Sequence, residues 1–123
     1  MTPYGMELII DINKCDVSKF DRKSLRIYFV QLCDLIKMKR CKLCWWDDVG
    51  VQTNERQTDA HTKGTSAIQF ILTSNITIHT LDLLESAYVN VFSCKKFDPN
   101  VAIDFTLSFF RGKIKQSLVV DRL

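Results

Sequence analysis

The chain has 123 residues, 46% hydrophobic and 25% charged, with a net charge of +3 from 17 Lys and Arg against 14 Asp and Glu. That length suits one domain over residues 1–123 with a real hydrophobic core, and the composition is that of an ordinary globular protein. The small positive balance collects nowhere except Lys37–Lys42, where it reads as a solvated helix end, so nucleic acid is not an expected partner.

No run approaches the roughly 18 apolar residues of a membrane helix, and the opening MTPYGMELIID has neither the basic nor the long apolar region of a secretory leader. The cysteines Cys15, Cys33, Cys41, Cys44 and Cys94 are an odd number without a secretory context. The expectation is a cytoplasmic protein with reduced thiols and no membrane partner.

Met6–Ile12 is short, apolar and β-branched, and reads as a buried strand. The stretch SKFD, Ser18–Asp21, offers a helix cap. Leu25, Tyr28, Phe29, Leu32, Leu35 and Ile36 then recur at helical spacing and predict an amphipathic helix to about Lys39. Cys41–Trp46 follows as a second strand. The polar, aperiodic stretch 47–63 reads as a long loop. Thr65–Thr73 is a third strand with Ile68, Phe70 and Leu72 on one face, and Asn75–Thr80 continues extended. Ser86–Cys94 alternates as a further strand. Asp98 as N-cap and Pro99 in the first turn start a second helix whose stripe is Ala102, Ile103, Phe105, Leu107, Phe109 and Phe110. Gly112 stops it, and a last strand follows. The order β-α-β, central strands, α-β predicts an α+β two-layer sandwich, an antiparallel sheet with two helices on one face. A second protomer is the simplest cover for the other face.

Cys41 and Cys44 have no second Cys or His pair to complete a zinc site, and on a strand positions three apart point to opposite faces, so ordinary thiols are expected and no metal. His61, in the loop, reads as solvated. Trp45 and Trp46 suit core plus rim more than a ligand platform. Asp82 and Glu85 are as well explained by an exposed turn as by a paired-carboxylate site.

Ser66, Ser74, His79 and Cys94 gain meaning through their spacing. Ser66 lies in GTS (Gly64–Ser66), Ser74 opens SNITIHT eight residues on, His79 is five further, and Cys94 ends VFSC, twenty after Ser74. Together with DPNVAIDF (Asp98–Phe105) and the opening YGMELIIDINKCD, this pattern resembles the short, bacterial-type S-adenosylmethionine decarboxylases. Those carry a Gly-x-Ser element, an apolar strand ending Glu-Ser, a His-x-x-Ile-His-Thr variant, a strand ending Val-Phe-Thr-Cys, and Asp-Pro before a helix. The resemblance covers nearly the whole chain outside 47–63.

Such enzymes are proenzymes of polyamine biosynthesis that cut themselves before a serine. By resemblance, Ser74 Oγ would attack the Thr73 carbonyl, dividing the chain into 1–73 and 74–123. His79 would support removal of the Ser74 α-proton, and Ser66 would steady the oxyanion beside the scissile bond. The pyruvoyl group left from Ser74 would be the cofactor, its carbonyl serving as the electron sink for loss of CO2. Cys94 would return a proton to the substrate α-carbon. A small-molecule amino-acid substrate and a homodimer or higher homo-oligomer are also implied.

Three stretches depart from the pattern. Thr73 replaces the usual Glu before the serine, Leu81-Asp82-Leu83 replaces Trp-Pro-Glu after His-Thr, and Met6-Glu7 replaces a Lys-His pair. The lost Trp and Glu serve adenine and the ribose hydroxyls, and an apolar leucine cannot pair with two hydroxyls. Three readings stay open. The enzyme acts on S-adenosylmethionine with adenine held by Trp45 or Trp46; or it is a pyruvoyl-dependent arginine or ornithine decarboxylase whose cationic substrate meets Glu7, Asp82 or Glu85; or the chain is a non-cleaving regulatory or structural paralogue.

Overall fold

The computed structural model describes residues 2–123. Met6, Leu8, Ile10 and Ile12 alternate with Glu7, Ile9 and Asp11, and the period-two rule sends the first set inward, where each is buried in the core. They lie on β1 (Gly5–Asn13). In chain order there follow α1 (Arg22–Leu35), β2 (Arg40–Trp46), β3 (Gly64–Ile71), β4 (Ser74–Leu81), β5 (Ser86–Ser93), α2 (Pro99–Phe110) and β6 (Lys113–Arg122). The strands form one antiparallel sheet in the order β2-β3-β4-β5-β1-β6. Both helices contribute to a single core with the strands, giving the expected α+β two-layer sandwich. Among the described residues no helix is long and apolar enough to cross a membrane.

Asp21 caps α1 by accepting the Ser24 N–H at 2.8 Å, an arrangement worth about 1 kcal/mol. The buried stripe is Leu25, Tyr28, Phe29, Leu32 and Cys33. The helix is shorter than its periodicity suggests. It ends at Leu35 because Lys37 turns left-handed, φ 59°, to send the chain into β2. Leu35, on the edge of the stripe, is 48% exposed, and Ile36 takes the buried position.

Asp98 caps α2 by accepting the Asn100 N–H at 2.9 Å. Arg111, left-handed at φ 53°, ends it one residue before the glycine expected to do so. Ala102, Thr106 and Phe110 are its fully buried residues, with Ile103, Phe105, Leu107 and Phe109 packed around them. Tyr28 joins the helices: its ring centroid lies 5.0–5.7 Å from those of Phe29, Phe105, Phe109 and Phe110. Thr106 gives its own proton to the Ala102 carbonyl at 2.7 Å, so the Tyr28 hydroxyl donates to Thr106 Oγ1 at 2.8 Å.

The expected third strand stops earlier than Thr73. The chain reverses at Leu72–Thr73, with Ile71 opposite Ser74. Ala67, Gln69 and Ile71 face the helices, and the buried Gln69 amide is satisfied by the Cys41 and Phe70 carbonyls at 3.0 and 2.9 Å. Ile68 and Phe70 therefore point to the other side of the sheet, which no helix covers. Two rows of residues cross that open face in register: Phe70, Asn75, Phe92, Glu7 and Val120; and Trp46, Ser66, His79, Tyr88, Asp11 and Gln116.

Candidate active site

The β3–β4 turn brings three of the expected residues together. Ser74 is buried at the start of β4, and its Oγ accepts the Cys94 backbone N–H at 2.8 Å. The Thr73 hydroxyl lies 2.7 Å from the Leu72 carbonyl oxygen and 3.3 Å from Cys94 Sγ. Cys94 reaches this turn because β5 runs antiparallel to β4, with Asn75 opposite Phe92. The Thr73 hydroxyl, and after it the Ser74 hydroxyl, hold the Cys94 thiol below the usual cysteine range by favouring its thiolate. A shallow cleft of about 290 Å³ beside Ser74 is lined by Phe70, Ile71, Thr73, Asn75 and Phe92.

Ser66 and His79 form a second group. They are directly opposed across β3 and β4, and Ser66 Oγ lies 2.7 Å from His79 Nδ1. Gly64 permits this pairing, since a Cβ there would overlap the Thr80 carbonyl oxygen. Trp46, 81% exposed, is paired with Ser66 on the same face. With Gln57, His61 and Leu81 these residues line a cleft of about 440 Å³.

The two groups are apart. Ser74 and His79 are five positions apart on one strand, about 16 Å at 3.3 Å per residue, and the odd interval points them to opposite faces. Ser74 turns inward and His79 is exposed on the open face. Within one chain, then, Ser66 is not beside the Thr73–Ser74 bond.

The remaining candidates scatter. Trp45 faces the helices, under the guanidinium groups of Arg22 and Arg26 at 5.6 and 5.7 Å from its ring centroid. Glu7 lies on the open face, engaged by Arg122 at 2.7 Å and by the Asn90 amide at 3.3 Å. Asp82 opens on a different cavity, of about 620 Å³, with Arg22, Lys23, Arg56 and Lys63; partial burial raises its carboxyl pKa and Lys63 opposes the rise. Glu85 is an exposed turn residue, left-handed at φ 50°. Cys41 is exposed and Cys44 half-buried as separate free thiols. Arg22 grips Asp47 at 2.6 and 2.7 Å and so anchors the start of the long loop. Sequence reasoning missed Phe70, Asn75, Phe92 and Gln57 as cleft residues; the first three could be found by fixing the turn at 72–73 and counting strand parity outward from it.

Among proteins of curated function none matches the chain. Its fold is similar to the crystal structure of the adenosylmethionine decarboxylase from Aquifex aeolicus, with a TM-score of 0.75 at 18% identity over 99% of this chain and 92% of that one. The family model for S-adenosylmethionine decarboxylase matches residues 6–123. The chain belongs to the S-adenosylmethionine decarboxylase family, a family of carboxy-lyases.

Proposed function

We propose that the chain is a self-processing, pyruvoyl-dependent decarboxylase of polyamine biosynthesis, cytoplasmic and homodimeric, acting on S-adenosylmethionine. The observation that carries this reading is the turn where Thr73, Ser74 and Cys94 meet. The Cys94 N–H holds Ser74 Oγ next to its own preceding peptide, and Cys94 Sγ stands within reach of the same turn. A pyruvoyl group made from Ser74 fits this place, since the residue borders an open cleft and has a thiol beside it. Formed there, its carbonyl supplies the electron sink for loss of CO2. Ser74 Oγ would add to the Thr73 carbonyl carbon, and Cys94 would hold the proton that the substrate α-carbon takes up afterwards.

The roles of Ser66 and His79 call for a second copy. One chain leaves them about 16 Å from Ser74 along β4. Two copies stacked open face to open face, strands running in opposite senses, would lay the Ser66–His79 pair of one over the Thr73–Ser74 turn of the other. The stack would also cover Ile68, Phe70, Tyr88, Leu118 and Val120, each more than a third exposed in the single chain; apolar faces of this kind commonly mark association surfaces.

For the substrate, Trp46 supports the adenosyl reading. Its exposed ring beside the Ser66–His79 cleft offers adenine a stacking surface where the usual tryptophan is Leu81. The arginine or ornithine reading has weaker support, because Glu7 is already paired with Arg122. In the cavity of Asp82 the carboxylates, Asp21, Asp47 and Asp48 with it, are matched by Arg22, Lys23, Arg56 and Lys63 and leave no net negative charge for a cationic substrate.

Intact mass spectrometry under denaturing conditions tests the reading. Two fragments are expected, one ending at Thr73 and one starting with a pyruvoyl in place of Ser74, together with CO2 release from carboxyl-labelled S-adenosylmethionine. A single uncut chain would instead mark a non-cleaving paralogue, and release from arginine or ornithine alone would reassign the substrate.

A further inference from the structure

We propose that the β3–β4 turn holds Thr73 in a strained backbone conformation which self-cleavage releases, making Thr73 a positioning residue for its own scissile bond. This rests on the self-processing reading above.

Among the described residues five non-glycine positions have positive φ: Lys14, Lys37, Thr73, Glu85 and Arg111. Four of them have unbranched Cβ atoms. Thr73, at φ 54°, is the β-branched one, and for such a residue the left-handed region is a genuine outlier, because the Cβ substituents crowd the backbone carbonyl. Two-residue hairpin turns ordinarily place Gly, Asn or Asp where positive φ is required. Here the sequence places a threonine.

The surrounding structure holds it there from both sides. Pairing of Ile71 with Ser74 fixes the loop at two residues. The Leu72 N–H donates to the Lys39 carbonyl at 3.2 Å, the Thr73 hydroxyl is engaged by Leu72 and Cys94, and the Cys94 N–H pins Ser74 Oγ. Strained residues persist where neighbours over-determine them, and they concentrate at functional sites. The strained residue here is the one whose carbonyl carbon the serine attacks.

Cleavage lets it relax. In the first step the Ser74 Oγ–C bond to the Thr73 carbonyl forms, the Thr73–Ser74 C–N bond breaks, and the hydroxyl proton ends on the Ser74 nitrogen, leaving an ester and a free amine. In the second the Ser74 α-proton leaves, the Cβ–Oγ bond breaks and the Thr73 carboxylate departs. Thr73 is then a chain end, free of the two-residue loop. Strain present in the peptide and lost along this path speeds the cleavage.

The test is a time course of intact mass after cell-free synthesis of the full chain with Thr, Gly, Asn or Val at position 73. Glycine and asparagine accept positive φ, whereas valine keeps the branch and drops the hydroxyl. The Thr73→Val chain is expected to cleave about tenfold faster than Thr73→Gly and Thr73→Asn, the factor that 1.4 kcal/mol makes in a rate. A second measurement separates strain from loosened positioning. In the uncleavable Ser74→Ala chain, adding Thr73→Gly should raise Tm by about 3 °C, as relief of a local penalty would in a domain of this size. Equal cleavage by all four chains, or a lower Tm for the glycine variant, overturns the strain inference alone. An uncut natural chain overturns the self-processing reading and this inference with it.

Discussion

Cys94 is the residue whose chemistry the turn alters most directly. The Thr73 hydroxyl 3.3 Å from its sulfur, with Ser74 second, lowers its thiol pKa, whereas burial pushes Cys15 up to about 11, helped by Glu85, and Cys33 up to about 11 as well. The thiolate is the reactive form, so a lowered pKa brings reaction to lower pH. In the uncleavable Ser74→Ala chain, which keeps the Thr73 hydroxyl, site-resolved iodoacetamide labelling should give Cys94 a midpoint below that of an ordinary cysteine, with Cys15 and Cys33 protected into far more alkaline solution. Adding Thr73→Val removes the hydroxyl that lowers the Cys94 pKa most and should move the Cys94 midpoint upward. A midpoint that stays put would show that the sulfur does not feel the threonine. Ser74, His79 and Cys94 were all legible as a spacing pattern. So was the odd interval from Ser74 to His79, whose strand parity already opposes them, although the resemblance suggested one shared pocket.

At the scale of elements, the fold class, the helix caps at Asp21 and Asp98 and the inward face of β1 all follow from local pattern, because caps and period-two alternation are short-range. What failed to follow depends on neighbours. The turn at Leu72–Thr73 carries no glycine or asparagine, so the extended run read straight through it. Ile68 and Phe70 form an apolar set of the right period on the outer face, and only the buried Ala67 and Ile71, with Gln69 satisfied by two carbonyls, reveal which side the helices take. α2 is apolar nearly all round, so its periodicity could not choose a face. The inward face is instead centred on Thr106, which meets the Tyr28 hydroxyl. This tie makes an ordered prediction. Thr106→Val leaves the fully buried Tyr28 O–H without an acceptor and should cost about 1–3 kcal/mol, while Tyr28→Phe leaves Thr106 bonded to Ala102 and should cost about 1 kcal/mol. Urea unfolding of the two single variants and the double measures both. If Thr106→Val were the milder change, the hydroxyl pair would not be what orients α2.

At the scale of the whole molecule, the arrangement of the site turns on one comparison. The open sheet face carries Ser66 and His79 at one end of β3 and β4, and the Thr73–Ser74 turn lies at the other. If one chain processed itself, every chain would need its own Ser74 and its own His79. If two stacked copies process each other, the residues can come from different chains. Co-expression of Ser74→Ala and His79→Ala chains distinguishes the two. Each alone should stay uncut. In a mixed dimer the His79→Ala chain supplies Thr73 and Ser74, and the Ser74→Ala chain supplies Ser66 and His79, so one of the two composite sites is complete. With random pairing half of the dimers are mixed, and up to about half of the His79→Ala chains should be cut, while the Ser74→Ala chains stay intact. Mass spectrometry separates them by the fragments each can give. Absence of any cut His79→Ala chain, with mixed dimers demonstrated by differential tagging, would place the whole reaction within one chain and require β4 to rearrange. Cleavage confined to that chain would account for a serine and a histidine held on opposite faces of one strand: they serve different copies of the same site.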